Sequence, residues 1–162
     1  MLNKPKLRFL YLTFLSLAAG HTLMGIGIRE VNAKAAHNST VSTKLTWRKN
    51  LANGIAEAKA SKKYVLMDVY TDWCGWCHRL DDDTYSAAPV IKFLNKSFVC
   101  VKVNGDDKSQ GAYVVGKYGV RGYPTIIVLN PDGSLCAKMS GYVAADAFPG
   151  VVTQMVQNKT VQ

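Results

Sequence analysis

Val65-Leu66-Met67-Asp68-Val69-Tyr70-Thr71-Asp72-Trp73-Cys74-Gly75-Trp76-Cys77 joins an apolar run to the most closely spaced pair of cysteines in the chain. From Tyr64 to Tyr70 the run is of strand length and is broken only by Asp68, the pattern of a central strand covered on both faces. Cys74 follows four residues later and opens a polar segment of helical character. A cysteine at the start of a helix faces unpaired N–H groups and the positive end of the dipole, which favour an anion. Its thiolate fraction at neutral pH rises accordingly. Cys77, one turn further on, lies on the same face, close enough to bond to Cys74 but more buried. The spacing therefore points to thiol–disulfide exchange, with Cys74 attacking and Cys77 resolving the mixed disulfide.

Upstream of this strand, Trp47, Leu51, Ile55 and Ala58 recur at helical spacing and predict a helix from Thr46 to about Ser61. Asn53-Gly54 weakens it, by roughly 1 kcal/mol for glycine against alanine. Downstream, Arg79, Asp81, Asp82 and Asp83 mark a polar helix, and Pro89 opens a further helical piece carrying Val90, Ile91, Phe93 and Leu94. Phe98–Val103 is a second strand, ended by Asn104-Gly105, and a short helix covers Gln110–Tyr118. Thr125–Leu129 and Ser134–Met139 flank the turn Asn130-Pro131-Asp132-Gly133 and read as an antiparallel hairpin. Phe148, Val151, Val152 and Met155 predict a closing helix that begins near Phe148, beside Pro149-Gly150. The order α-β-α-β-α-β-β-α implies an α/β fold, a central mixed sheet flanked by helices.

The chain has 162 residues and a formal net charge of +9. It opens with Lys4, Lys6 and Arg8, runs apolar from Phe9 to Ala19 and on to Ile28, and then offers small residues at Ala33 and Ala35. Residues 1–35 therefore read as a signal peptide or an N-terminal anchor, and both readings export the domain. Five of the 20 Lys and Arg but one of the 11 Asp and Glu fall there, so the remainder carries +5. With the basic excess concentrated in that segment and no basic-aromatic alternation beyond it, nucleic acid is not an expected partner. Residues 36–45 are small and polar, a flexible tether, and 46–162 form the domain. The other two cysteines, Cys100 and Cys136, lie inside apolar runs and read as buried thiols.

On these residues the chain resembles the thioredoxin superfamily. Val65–Cys77 matches its strand and Trp-Cys-x-x-Cys signature, and Lys117–Thr125 matches the segment that carries its cis-proline, here Pro124. Gly133 and Gly141 fall where the last hairpin and closing glycine occur. Within the superfamily the chain is similar to the C-terminal thioredoxin-like domain of the periplasmic disulfide-interchange reductase, with its Asp-Trp-Cys-x-x-Cys run. The resemblance implies a thioredoxin-like fold and a protein-disulfide reductase needing no cofactor beyond its own disulfide and no metal. It implies that Asp68 is a buried proton acceptor for Cys77, that Lys102 tempers its charge, and that Tyr123-Pro124 is a cis step whose backbone pairs with substrate. Trp73 and Trp76 join the substrate-binding set, with Trp73 divided between docking and core packing. Protein disulfides are the implied substrates, a membrane disulfide reductase the electron donor, and the bacterial periplasm the compartment. Membrane contact is expected only if the N-terminal segment is retained.

Trp76, where the thioredoxin motif has proline, and the bulky Tyr123 before the cis-proline leave an oxidase or isomerase as the alternative direction. Two readings of other classes compete. Cys74-Gly75-Trp76-Cys77-His78 is also the attachment signature of c-type haem, with Met139 as an imaginable axial ligand. A non-enzymatic docking module is the other, set against the retained cysteine pair. Asp81-Asp82-Asp83 reads as a solvated helix face, since consecutive helical positions diverge.

Overall fold

A computed structural model describes residues 42–158; residues 1–35, read as a signal or anchor segment, and most of the expected tether lie outside them. Five strands form one mixed sheet: β1 (Trp47–Arg48), β2 (Tyr64–Tyr70), β3 (Phe98–Asn104), β4 (Thr125–Leu129) and β5 (Leu135–Ser140), in the order β1-β3-β2-β4-β5. β3 runs parallel to both β1 and β2; β4 runs antiparallel to β2 and β5. The run read as a central strand, β2, lies in the middle of the sheet, paired with β3 and β4. This is the thioredoxin-like architecture, with helices on both faces.

Residue parity along β2 and β3 divides the core. Val65, Met67, Val69, Val99, Val101 and Val103 face helices α1 (Leu51–Ser61) and α4 (Gln110–Tyr118). Leu66 and Cys100 face the opposite layer, built from α2 (Gly75–Arg79), a π-helical stretch (Leu80–Tyr85), α3 (Ala88–Ser97) and α5 (Phe148–Asn158). Asp68 and Lys102, one alternation further along, share that second face and stand opposite each other in the parallel register.

The structure corrects the start of the first helix. Trp47 belongs to a two-residue strand paired with Cys100, and the helix begins at Leu51. Asn50 caps it, its side chain accepting the Asn53 N–H at 2.9 Å, so a cap at Asn50 overrides the helical spacing of Trp47. Gly54 has a packing reason inside this helix: a Cβ there would meet the Val101 side chain. The expected tether is held at its end, where Leu45 buries into the core and Asn95 Nδ2 donates to the Ser42 and Lys44 carbonyls. Pro149 stands in the first turn of α5, where its missing N–H costs nothing. Cys100 and Cys136 are both buried, with β2 and β4 lying between their strands.

Candidate active site

The loop from Thr71 brings the chain out of β2 and into α2 with Cys74 as the N-cap residue. Cys74 and Cys77 are joined by a disulfide, with their Cα atoms 5.3 Å apart. The Cys77 N–H is shared between Cys74 Sγ at 3.1 Å and the Cys74 carbonyl at 3.0 Å, so the sulfur at the cap already receives a donor of the helix end. Cys77 is the more buried of the two, at 1% exposure against 6% for Cys74. The helix runs only to Arg79 before widening into the π-helical turn, which carries the three consecutive aspartates.

That turn places a charged group that the sequence reading set aside. Lys102 Nζ lies 3.2 Å from Asp68 Oδ2 and 2.6 Å from Asp81 Oδ2. Asp81 is thus no member of a uniformly solvated face; it shares the Lys102 ammonium with the buried aspartate. The rings of Tyr70, Trp47 and Tyr85 surround the same ammonium at 4.6, 5.4 and 6.0 Å. Neither oxygen of Asp68 receives a hydrogen bond of good geometry from the protein, so the contact with Lys102 is an ion pair without directed donation. Burial raises the Asp68 carboxyl to about 6, outweighing the pull of Lys102 in the other direction. Burial also works against the Lys102 charge, but the two carboxylates more than compensate and its pKa rises. Both pKa values rise, for different reasons: Asp68 is wholly buried with one cation, whereas Lys102 answers to two anions. A helical spacing argument could not have singled out Asp81 among three aspartates; its partner is 21 positions away and on another element.

On the outer side, the structure moves Trp73 away from the core. It is 71% exposed, its Nε1 donates to Asp106 Oδ2 at 2.8 Å, and its ring stands edge-on to Tyr123 at 5.8 Å. Tyr123 in turn occupies the space beside Gly105, where any Cβ would collide with its phenol. Tyr123-Pro124 is a cis peptide. Pro124 accepts the Gly141 N–H at 2.8 Å, and Gly141 has the positive φ of 105° that only glycine takes readily. Trp76 is exposed beside Tyr142, with the Arg79 guanidinium 5.4 Å from each ring. Trp76, Tyr123, Pro124, Gly141 and Tyr142 line a groove of about 310 Å³ next to the disulfide.

The haem reading does not survive this geometry: the cysteines are bonded to each other after a parallel strand, and the His78 ring nitrogen Nε2 lies 2.9 Å from the Asp72 carbonyl. Fold and disulfide together define a thiol–disulfide oxidoreductase domain of thioredoxin type. The chain belongs to the thioredoxin-like domain family, whose model matches residues 51–155. Among curated relatives it is 38% identical over 65 residues to protein disulfide isomerase-like 5-2 of Oryza sativa subsp. japonica, covering 40% of this chain and 15% of that protein. It is 28% identical over 120 residues to the thiol:disulfide interchange protein DsbD of Pseudomonas fluorescens, covering 72% of this chain and 20% of that protein. The match thus spans a fifth or less of either relative's length. Among solved structures, DsbH oxidoreductase superposes with a TM-score of 0.63 at 16% identity, over 86% of this chain and 95% of that one, which speaks to the fold.

Proposed function

We propose that this chain is an exported dithiol–disulfide exchange enzyme working as a protein-disulfide reductase. The observation that carries the proposal is the disulfide at the cap of α2, with Cys74 outermost and an aspartate buried on the same side of the sheet. In the reduced protein the Cys74 thiolate attacks a substrate disulfide, forming a mixed disulfide and releasing one substrate thiolate. Cys77, its proton taken by Asp68, attacks Cys74 Sγ; the Cys74–Cys77 bond forms and the second substrate thiolate leaves. Two electrons pass to the substrate and the protein ends oxidised. Lys102 tunes the proton affinity of Asp68 through their ion pair. An extended substrate segment pairs with the backbone at Tyr123-Pro124, between Trp73 on one side and Trp76 on the other.

Export rests on residues 1–35, with the bacterial periplasm as the compartment and a membrane disulfide reductase as the electron donor that restores the dithiol. The name of the Pseudomonas fluorescens relative, a thiol:disulfide interchange protein, supports redox exchange between proteins. The deciding experiment equilibrates residues 36–162 against glutathione and dithiothreitol buffers. A reduction potential near or below about −230 mV supports the reductase direction; one above about −150 mV reverses it in favour of an oxidase.

A further inference from the structure

Lys102 is only 8% exposed, yet it serves two carboxylates of unlike surroundings: Asp68, with no exposure, and Asp81, 38% exposed. Its shorter contact is with Asp81. The groups packed around this ammonium come from β1, β2, β3 and the π-helical turn, and Lys44 and Lys49 line the cleft that reaches it. Asp68 and Tyr70 come from β2, Cys100 from β3, and Asp81 and Tyr85 from the π-helical turn; β1 adds only the Trp47 ring. Lys102 is the cation paired with both carboxylates. The phenol oxygen of Tyr85 and both oxygens of Asp68 lack hydrogen-bond partners in the protein. A cleft of about 530 Å³ reaches this group; Asp81, Lys102, Tyr70 and Tyr85 line it, and neither cysteine does.

We propose that Asp81 is a positioning residue for the dithiol chemistry: it draws the Lys102 ammonium towards the cleft and so prevents Lys102 from fully neutralising Asp68. A cation held at 2.6 Å by one carboxylate is a weaker partner for a second at 3.2 Å. Asp81 also repels the Asp68 charge directly, in the same sense. Both effects keep Asp68 able to hold a proton, which is what accepting one from Cys77 requires. The π-helical widening matters because it is the element that carries Asp81 to Lys102 on β3.

This inference rests on the role proposed for Asp68, and its test separates the two. The Asp68 carboxyl carbon is followed by NMR against pH in the oxidised protein, which involves no turnover. In Asp81→Asn the Asp68 titration moves to lower pH; Asp81→Glu restores it, and the exposed neighbour Asp82→Asn leaves it in place. An Asp68 titration that stays put or moves upward in Asp81→Asn overturns the proposal. The pH profile of exchange with a protein disulfide should shift the same way in Asp81→Asn and lose that response when Asp68→Asn is added; a shift that persists without Asp68 also overturns it. If Asp68→Asn alone leaves the profile unchanged while the titration still responds to Asp81, the role of Asp68 fails and the hold of Asp81 on Asp68 stands.

Discussion

The two faces of the same pair of strands have been built to different ends. On one, Val65, Met67 and Val69 of β2 meet Val99, Val101 and Val103 of β3 beneath α1 and α4, with no charged side chain among them. On the other, Leu66, Asp68 and Tyr70 alternate with Cys100 and Lys102 beneath the π-helical turn and α3. The first face contributes apolar burial at roughly 25 cal/mol per Å². The second gives up part of that contribution to hold a carboxylate with no directed hydrogen bond and a lysine at 8% exposure. Because side chains alternate along a strand, a shift of one residue in register would exchange the two faces. The aliphatic face pins the register, and the register delivers Asp68 to the side of the disulfide helix.

Four measurements would break or sharpen this contrast. Cys74→Ser should lower the rate of reduction of a protein disulfide by on the order of a thousandfold or more, while leaving the urea midpoint close to that of the reduced parent. Retained activity would detach the chemistry from the charged face altogether. In the same assay Cys77→Ser should accumulate mixed disulfides on Cys74.

Met67→Ala should cost about 2–5 kcal/mol of stability, read from urea unfolding, because it opens a cavity on a fully buried site. Its reduction potential and pH profile should stay with the parent. A changed profile would show that the aliphatic face also shapes the site.

Asp68 should make the oxidised protein less stable as pH rises. Its folded pKa of about 6 lies above the ordinary 3.8, so the folded state keeps a proton that the unfolded chain has released. That contribution is fully present below pH 3.8 and is lost as pH rises through about 6. The total is on the order of 3 kcal/mol. Urea midpoints of the parent and Asp68→Asn, compared from pH 3 to 8, should diverge in favour of the variant across that window. Parallel curves would mean that Lys102 cancels the burial cost.

Gly54→Ala should have the smallest effect, destabilising by about 1–3 kcal/mol as its methyl presses on Val101, and less if the valine rotates away. A stabilised variant would show slack between α1 and the sheet.

The aliphatic face was legible in the sequence because its signal is local. Runs such as Val99–Val103 and Thr125–Leu129 state their burial in consecutive residues, and β2, β3 and β4 appear where those runs lie. The cysteine pair was legible for the same reason: its spacing is one helical turn. β1 was not, since two residues at a sheet edge carry no period, and Trp47 continued the spacing of the helix that follows. Trp73 divides its environment in a way that composition does not reveal; its exposure depends on Asp106, 33 positions away, which takes its indole N–H.

The chain's order of residues therefore determined, unaided, an α/β domain with a Cys74–Cys77 pair between its first long strand and the helix after it. Strand propensity, alternation and a three-residue separation of two cysteines are properties of neighbours. The tertiary structure alone decided how charge is distributed behind that pair. Which of Asp81, Asp82 and Asp83 meets Lys102 depends on a π-helical widening and on the packing of that turn against β3, and a single extra residue per turn redirects every side chain beyond it.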